Sequence, residues 1–312
     1  MDRRNLTHGG MLALAAFIWG TAFVAQSLGM EHIGPCAFNG ARSFVGCLVL
    51  LPVIAAGKKL REAGRGAGAL GTCQGAGQSP ATLWRGGAAC GILLAGASLL
   101  QQASLQYTTA GKAGFLTSLY IVIVPVLGIF LGRKAGGKIW AAVVLALIGA
   151  YLLSVAGGGE GFSIGIGEIL VLICSVIFSL HIMVIDRVSP KVDGVQLSCI
   201  QFLVAGIVSV IFAVILERDS FTLSGLLASW GPLLYVGILS SGVAYTLQIV
   251  GQAGLNPAVA SLIMSLESVF AAISGWLILS QPLSTRELIG CGLVFAGVVL
   301  AQLPGRRKAE KA

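Results

Sequence analysis

The chain has 312 residues, of which 56% are hydrophobic and only 10% are charged. A soluble domain carries roughly 25% charged residues, so this composition excludes an ordinary soluble protein. The net charge of +8 would fit a nucleic-acid partner. However, nearly all Lys and Arg lie in short connectors or at the chain ends, which is typical of charges that set membrane topology. We therefore expect an all-α membrane protein that binds no nucleic acid.

Ten apolar stretches are long enough to cross a bilayer, which takes about 20 predominantly apolar residues. Most of the connectors between them are short and contain Gly, Pro, Asn or charged residues. The runs are too long for β-barrel strands and do not alternate in polarity, so the sequence predicts ten transmembrane helices. In chain order they are Met11–Gly29, Cys36–Ala56, Trp84–Gln106, Gly114–Leu131, Ile139–Ala156, Ile166–Ile185, Val195–Leu216, Gly231–Val250, Pro257–Leu279 and Leu288–Leu303.

The basic residues predict the orientation of these helices. With the N-terminus in the cytoplasm, sixteen Lys and Arg fall on the cytoplasmic side and only Lys112, Arg218 and Arg286 on the outer side. Because short cytoplasmic loops carry the excess of basic residues, we expect a multi-pass protein of the cell membrane with both termini inside. The long connector at residues 57–85, rich in Gly, Ala and Gln, is predicted to be a flexible cytoplasmic loop. Residues 304–312 are predicted to be a basic cytoplasmic tail.

The chain resembles itself at a shift of about half its length. A shift of 159 residues aligns the first two predicted helices with the sixth and seventh without a gap and places Arg42 on Gln201. Near the end of each half, Leu145–Gly149 matches Leu293–Gly297. The sequence identity is low, but the positions of helices and connectors agree. This pattern indicates an internal repeat.

Each predicted half, residues 11–156 and residues 166–303, contains five helices. Five is an odd number, so the second half must enter the membrane in the opposite orientation to the first. Inverted repeats of this kind often build secondary transporters, with the substrate site near the midplane between the halves. The alternative is that a duplication merely produced a stable helical bundle.

Several short motifs occur in the order and spacing of a known family. They are Ile18-Trp19-Gly20-Thr21, Ala41-Arg42-Ser43-Phe44, Leu105-Gln106-Tyr107-Thr108, Pro125, Ser265-Leu266-Glu267-Ser268-Val269-Phe270-Ala271-Ala272, Gly275-Trp276, Gly290 and Gly297. On these letters the chain resembles the EamA-type members of the drug/metabolite transporter superfamily over residues 11–303. It departs from the family pattern at Ser268, where members often carry Pro.

The repeat and the resemblance together imply a secondary transporter, gradient-driven or facilitative and conceivably an exporter. Its substrate would be a small metabolite such as an amino acid, moved by alternating access at a midplane cavity. We expect a monomer surrounded by membrane lipid, with protons as a candidate coupling ion. No cofactor, metal site or catalytic residue is predicted, because no enzyme motif and no CxxC pair occurs. The alternative is a polytopic membrane enzyme that acts on a lipid-linked substrate, but the clustered acidic, His or Ser residues it would need are not evident.

Three ionisable residues stand out within the predicted helices, where charge is costly and therefore suggests function. Glu267 could bind a proton or a substrate amine, or could be a structural carboxyl group hydrogen-bonded to neighbouring helices. Arg42 could hold a substrate carboxylate, reach the membrane interface or tie helices together. His181 could titrate near neutral pH and take part in coupling, or could have a packing role.

Polar and aromatic side chains at helical spacing predict the walls of a cavity. On the eighth predicted helix, Ser241, Tyr245, Gln248 and Gln252 share one face. In lipid such faces must point inward, toward protein or water. Helix–helix hydrogen bonding is the alternative explanation. Beside Arg42, the predicted substrate-contacting residues are Trp19, Gln26, Gln101, Gln102, Tyr120, Ser179, Tyr245, Gln248 and Ser265.

Overall fold

The first half of the chain consists of helices joined by short turns in the part that is described. The computed structural model describes residues 3–62, 79–108, 110–133, 135–154, 165–218, 222–279 and 283–303. Within these ranges the chain forms helices and no strand. The first six helices are α1 (Arg3–Gly29), α2 (Pro35–Glu62), α3 (Pro80–Ser104), α4 (Ala110–Thr117), α5 (Tyr120–Phe130) and α6 (Gly137–Ser154).

The second half contains eight further α-helices, together with a 3₁₀ turn at Ser189–Lys191 and a π-helical segment at Val236–Ala244. The α-helices are α7 (Ile166–Val188), α8 (Gly194–Leu216), α9 (Leu223–Ala228), α10 (Trp230–Tyr235), α11 (Tyr245–Gln252), α12 (Pro257–Met264), α13 (Leu266–Leu279) and α14 (Thr285–Gln302).

Nine helical segments in the described part of the chain are long and apolar enough to cross a membrane. A further apolar helix, Gly137–Leu153, falls just short of the same length. Many large apolar side chains remain exposed on the outer surface, as a lipid-facing protein requires. The chain is therefore an all-helical, multi-pass membrane protein, and the count of ten spans stays a prediction.

The connector predicted at residues 57–85 is shorter than the sequence suggested. Helix α2 continues to Glu62 and α3 begins at Pro80, so helix occupies both ends of that stretch. Lys58, Lys59 and Arg61 are good helix formers, and they continue α2 beyond its apolar part. Residues 63–78 and the predicted tail at 304–312 lie outside the described residues.

Two of the predicted spans are interrupted near their middle. The fourth predicted helix is divided into α4 and α5, and the ninth into α12 and α13. At the first interruption the hydrogen bonds shorten to i→i−3, for example from Ile121 N to Ser118 O (3.0 Å) and from Val122 N to Leu119 O (2.9 Å). Pro125, which has no backbone N–H, removes a further α-helical bond in this region. Side chains on both flanks of each interruption therefore point in directions that a regular helix would not give.

The eighth predicted span is irregular for a different reason. The π-helical segment Val236–Ala244 separates α10 from α11. Such segments add residues to each turn and often occur at functional sites. The segment rotates the side chains before Tyr245 relative to those after it.

The helices of the two halves interleave. Helix α6 packs along α14, and α2 packs along α8. Helix α1 contacts the π-helical segment, α11 and α13, while α3 packs against α7 and α8. Small residues allow the closest approaches: a Cβ atom on Gly149 would lie 2.6 Å from the Gly290 carbonyl oxygen. This arrangement leaves a space between α1, α2, α7 and the interrupted helices.

Candidate substrate cavity

A narrow cavity lies among the helices of both halves. Its volume is about 50 Å³, below the range of roughly 300–1,000 Å³ typical of small-molecule sites, so the cavity is largely closed in this structure. Helices on both sides of the α4–α5 and α12–α13 interruptions contribute to its wall. It is lined by Trp19, Phe23, Gln26, Arg42, Gln101, Thr117, Tyr120, Phe178, Ile182, Ser240, Tyr245, Gln248, Met264 and Glu267.

One wall of the cavity carries a buried cation. Arg42, on α2, is 5% exposed. Its Nε donates to Asn39 Oδ1 (2.8 Å), and one terminal nitrogen donates to Gln26 Oε1 (3.3 Å) on α1. Asn39 is held in turn by donating to Ser209 Oγ on α8 (2.8 Å). These partners are neutral, so they orient the guanidinium group without neutralising its charge.

A buried carboxyl group comes from the second half. Glu267, at the start of α13, is 7% exposed. Tyr120, at the start of α5, donates its hydroxyl hydrogen to Glu267 Oε1 (3.4 Å). The two residues flank the interruptions of their respective spans, so the broken helices bring them together. In the same region Gln101 Nε2 donates to Thr117 Oγ1 (3.2 Å).

Aromatic rings form the remaining wall. The rings of Trp19 and Tyr245 meet edge to face with centroids 4.8 Å apart, and Phe202 packs on the far side of Tyr245 (5.5 Å). Trp19 Nε1 donates to the Ser240 carbonyl oxygen (3.4 Å) in the π-helical segment. These contacts fix both rings in place, so the aromatic wall is rigid.

Eight of the predicted site residues line the cavity, and four lie elsewhere. Ser179 and Ser265 donate their hydroxyl hydrogens to carbonyl oxygens of their own helices, at Ser175 (2.7 Å) and Leu262 (2.7 Å). Their hydroxyl groups therefore stabilise the backbone locally. Gln102 is buried outside the cavity wall. The fourth, His181, is also fully buried, beside Gln201 on α8, with His181 Nε2 and Gln201 Oε1 3.1 Å apart.

Six lining residues were not among the predicted site residues. Four of them are apolar residues within apolar spans, so the sequence does not distinguish them from their neighbours: Phe23, Phe178, Ile182 and Met264. Thr117 lies three residues before Tyr120 and lines the cavity with it. Ser240 lines the cavity where the regular spacing of an α-helix had favoured Ser241, because the π-helical segment changes the register. Position relative to Trp19 could have indicated Phe23, which lies one turn later on the same face.

The lining of the cavity has two chemically different ends. A cation and a carboxyl group stand on different helices, each with its own neutral partners, and apolar and aromatic side chains lie between them. Among the described residues, no group of three or more His, Cys, Asp or Glu could hold a metal ion. The arrangement thus offers charge recognition and apolar contact to a small amphipathic solute.

Comparison with known proteins gives the context for this cavity. A model of the EamA-like transporter family matches residues 9–155 and again residues 165–303. An uncharacterized transporter of Archaeoglobus fulgidus is 29% identical over 298 residues, which cover 94% of this chain and 84% of that protein. The uncharacterized inner membrane transporter YedA of Escherichia coli is 24% identical, over 96% of this chain and 92% of its own. A solved crystal structure at 19% identity superposes with a TM-score of 0.74 over 95% of this chain and 96% of that one, which supports the fold alone.

Proposed function

Because this chain belongs to the EamA-like transporter family, we propose that it is a secondary transporter that moves a small amphipathic metabolite, such as an amino acid, by alternating access. The family, the relatives named as transporters and the many apolar helices establish the coarser statement, a multi-pass membrane transporter. The substrate class, the mechanism and the coupling are the proposal. Direction stays open, with export as one possibility.

The observation that carries the proposal is the pair of buried ionisable residues at the cavity. Arg42 presents guanidinium N–H groups held by neutral partners, and a carboxylate is the anion that matches their planar geometry. Glu267 presents a carboxyl oxygen that accepts from Tyr120 and could also accept from an ammonium group. A solute with a carboxylate, an amine and an apolar part would satisfy both ends and the aromatic wall.

The packing of the helices supports a mechanism based on two equivalent halves. The shift of 148 residues that matches Leu145–Gly149 with Leu293–Gly297 also relates two contacts between α6 and α14. A Cβ atom on Gly149 would lie 2.6 Å from Gly290 O, and one on Gly297 would lie 2.7 Å from Ala142 O. Under that shift each contact is the counterpart of the other, as a two-fold relation between inverted repeats requires.

The packing of whole helices follows the same two-fold relation. Helix α2 packs on its counterpart α8, and α6 on its counterpart α14. Helix α3 packs on α7, while the corresponding helices of the other half, α1 and the segment from Val236 to Gln252, also pack together. The family model matches each half separately. We propose that residues 11–156 and 166–303 are inverted five-helix repeats, ten spans in all, with both termini in the cytoplasm.

Uptake into proteoliposomes tests the proposed function. The purified chain is reconstituted and offered a panel of radiolabelled amino acids and related amphipathic metabolites, with and without a pH gradient of either sign. At least one labelled solute is expected to accumulate to a higher level than in protein-free vesicles. An excess of the same solute without label should reduce this uptake. An imposed gradient that changes the rate would identify protons as the coupling ion.

A panel in which every solute enters at the rate of protein-free vesicles would contradict the proposal. The alternative of a membrane enzyme acting on a lipid-linked substrate would then be the next to test, by incubating the same vesicles with lipid-linked sugars and analysing the lipids. If the flux does not respond to any ion gradient, the protein is a facilitative transporter, and the proposed coupling to protons is wrong.

A further inference from the structure

Beyond the cavity, buried polar atoms without partners occur near the end of the bundle at which α1 begins. In the described part of the chain, His181 Nδ1, Gln201 Nε2, Gln248 Oε1 and both amide atoms of Gln252 are buried and have no hydrogen-bond partner. A buried polar atom without a hydrogen-bond partner destabilises a protein, because the atom has lost its bonds to water. Several such atoms in one region need an explanation other than packing.

These residues follow one another from the cavity toward that end. Gln248 lines the cavity, and Gln252 lies one helical turn further along α11. The end of α11 is in contact with the start of α1, where His8 Nδ1 donates to Gly251 O (3.2 Å). His181 precedes the end of α7 and Gln201 follows the start of α8, each by about 10 Å of helix.

The His181–Gln201 pair lies close to the cavity wall. Tyr245 lines the cavity, and its ring centroid lies 6.3 Å from that of the His181 ring. Tyr245 comes directly after the π-helical segment. Such segments often occur at functional sites.

The internal repeat relates the His181–Gln201 pair to Arg42 and its partner. Gln201 occupies the position in the second half that Arg42 occupies in the first. Arg42 contacts Gln26 on α1 at the cavity, and Gln201 contacts His181 on α7 beside Tyr245. If the halves exchange conformations, the second pair lines the cavity as the first does now.

We propose that His181, Gln201, Gln248 and Gln252 line a closed polar passage that connects the cavity with the end of the bundle where α1 begins. The passage rests on the proposed alternating-access function. Its unpaired atoms include amide donors and carbonyl acceptors but no fixed charge, so it takes water and hydrated polar solutes rather than bare ions. In this proposal Tyr245 closes it on the cavity side.

Thiol labelling tests the passage without knowledge of the substrate. Gln201→Cys and Gln252→Cys are introduced separately into a Cys73→Ser background, which removes the one cysteine outside the described residues. Reconstituted protein is exposed on either membrane face to a small, impermeant, sulfonate-bearing methanethiosulfonate. The matched control is Ser175→Cys, an equally buried position on α7 whose hydroxyl donates to Leu172 O (2.8 Å) and is therefore satisfied.

Both passage variants are expected to label at least about tenfold faster than Ser175→Cys, and from one face only. Labelling no faster than that of the control overturns the passage, whatever the uptake assay shows. Labelling without uptake of any solute leaves the passage standing and the proposed function without support, so the two failures are distinguishable.

A second variant keeps the test decisive if the cysteine variants are poorly folded. Gln252→Met retains the shape of the side chain and removes both unpaired atoms. The single variant is expected to melt at the same or a higher temperature, because an apolar group replaces an unsatisfied one. Combined with Gln201→Cys, it is expected to slow labelling about tenfold, since it makes the passage less polar. Unchanged labelling in the double variant would assign Gln252 to packing and contradict the proposal.

Discussion

The polar groups between α1 and α2 and those between α7 and α8 show two different uses of buried polarity. Arg42 is surrounded by acceptors: Asn39 and Gln26 bind its guanidinium group, and Ser209 holds Asn39. His181 and Gln201 bind each other but leave one nitrogen each unpaired in the described structure. The first group is organised around a cation at the cavity wall, whereas the second is neutral and lies beside Tyr245.

The difference suggests how two similar halves can serve one transport cycle. Under the proposed transport function, a preorganised cation would make the first half the source of affinity, because its geometry is fixed before the solute arrives. A neutral, partly unpaired group binds weakly, which favours release. The two halves therefore need the same backbone arrangement but different side chains, and each difference can be removed experimentally.

The largest effect is expected when the first half is given the chemistry of the second. Arg42→Gln places at the cavity the side chain that its counterpart, Gln201, already has. Uptake of a carboxylate-bearing solute is expected to fall about 100-fold, because a charge-assisted hydrogen bond contributes roughly 1.5–3 kcal/mol. Thermal stability should be equal or higher, because a buried charge has been removed.

Arg42→Lys is the matched control. It keeps the charge but not the planar group that reaches both Asn39 and Gln26, so an intermediate loss of about tenfold is expected. Initial uptake rates and melting curves measure both variants. Full uptake by Arg42→Gln would remove Arg42 from substrate binding and leave it with a role in holding helices together.

Glu267 is the corresponding charged residue contributed by the second half. Glu267→Gln is expected to reduce accumulation driven by a pH gradient about 30-fold, because the amide cannot exchange a proton. Exchange of solute without a gradient should change about threefold or less. Tyr120→Phe, which removes the hydroxyl that donates to Glu267 Oε1 but keeps the carboxyl group, should lower driven uptake only about threefold. An unaltered pH dependence in Glu267→Gln would exclude it from coupling.

Hydrophobic length alone was sufficient to place most of the membrane-spanning segments. The helix interruptions beside Leu119 and Ser265 and the π-helical segment before Tyr245 could not be foreseen in the same way. A hydropathy window averages about 19 residues, whereas these features depend on local backbone hydrogen bonds. This is why the sequence favoured Ser241 on the cavity face and the structure has Ser240 there.

Within the candidate site, charged and large polar residues were easier to predict than small or apolar ones. Arg42 and Glu267 stand out in an apolar span because burying them is costly. Serine can bind either a solute or the carbonyl oxygen of its own helix, and spacing does not distinguish the two, as Ser179 and Ser265 illustrate. Met264 and Phe178 resemble every other apolar residue in the sequence, and only the fold shows that they face the cavity.

The equivalence of the two halves can be tested at α6 and α14. Gly149→Ala and Gly297→Ala each place a methyl group against a backbone carbonyl oxygen of the partner helix, at 2.6 Å and 2.7 Å. Each is expected to destabilise the protein by about 1–3 kcal/mol, because backbone must move to admit the added carbon. Gly292→Ala is the control on α14, since its methyl group would meet nothing within 4 Å. Melting curves in detergent measure the three variants. Very different melting temperatures for Gly149→Ala and Gly297→Ala would contradict a two-fold relation between the halves.

The smallest effects are expected at the two ends of the bundle, which are held by different kinds of contact. At one end Arg133 pairs with both carboxylate oxygens of Asp186 on α7, although Arg133 is 44% exposed. At the other, Glu217 accepts from the backbone N–H groups of Cys36 (2.7 Å) and Ala37 (2.9 Å) at the start of α2.

Arg133→Gln, Asp186→Asn and the double variant form a cycle whose coupling free energy should be about 1 kcal/mol, the upper end of the range for exposed ion pairs, because Arg133 is 44% exposed while Asp186 is buried. This coupling should shrink in 1 M salt, where the Debye length is about 3 Å. Glu217→Gln should cost about 1 kcal/mol and respond less to salt, because the lost interaction is a direct helix cap. Melting curves at low and high salt measure both. If the melting temperatures of both sets of variants respond equally to salt, the expected difference between an ion pair and a helix cap is contradicted. Screening by solvent would then determine the stability of each end of the bundle.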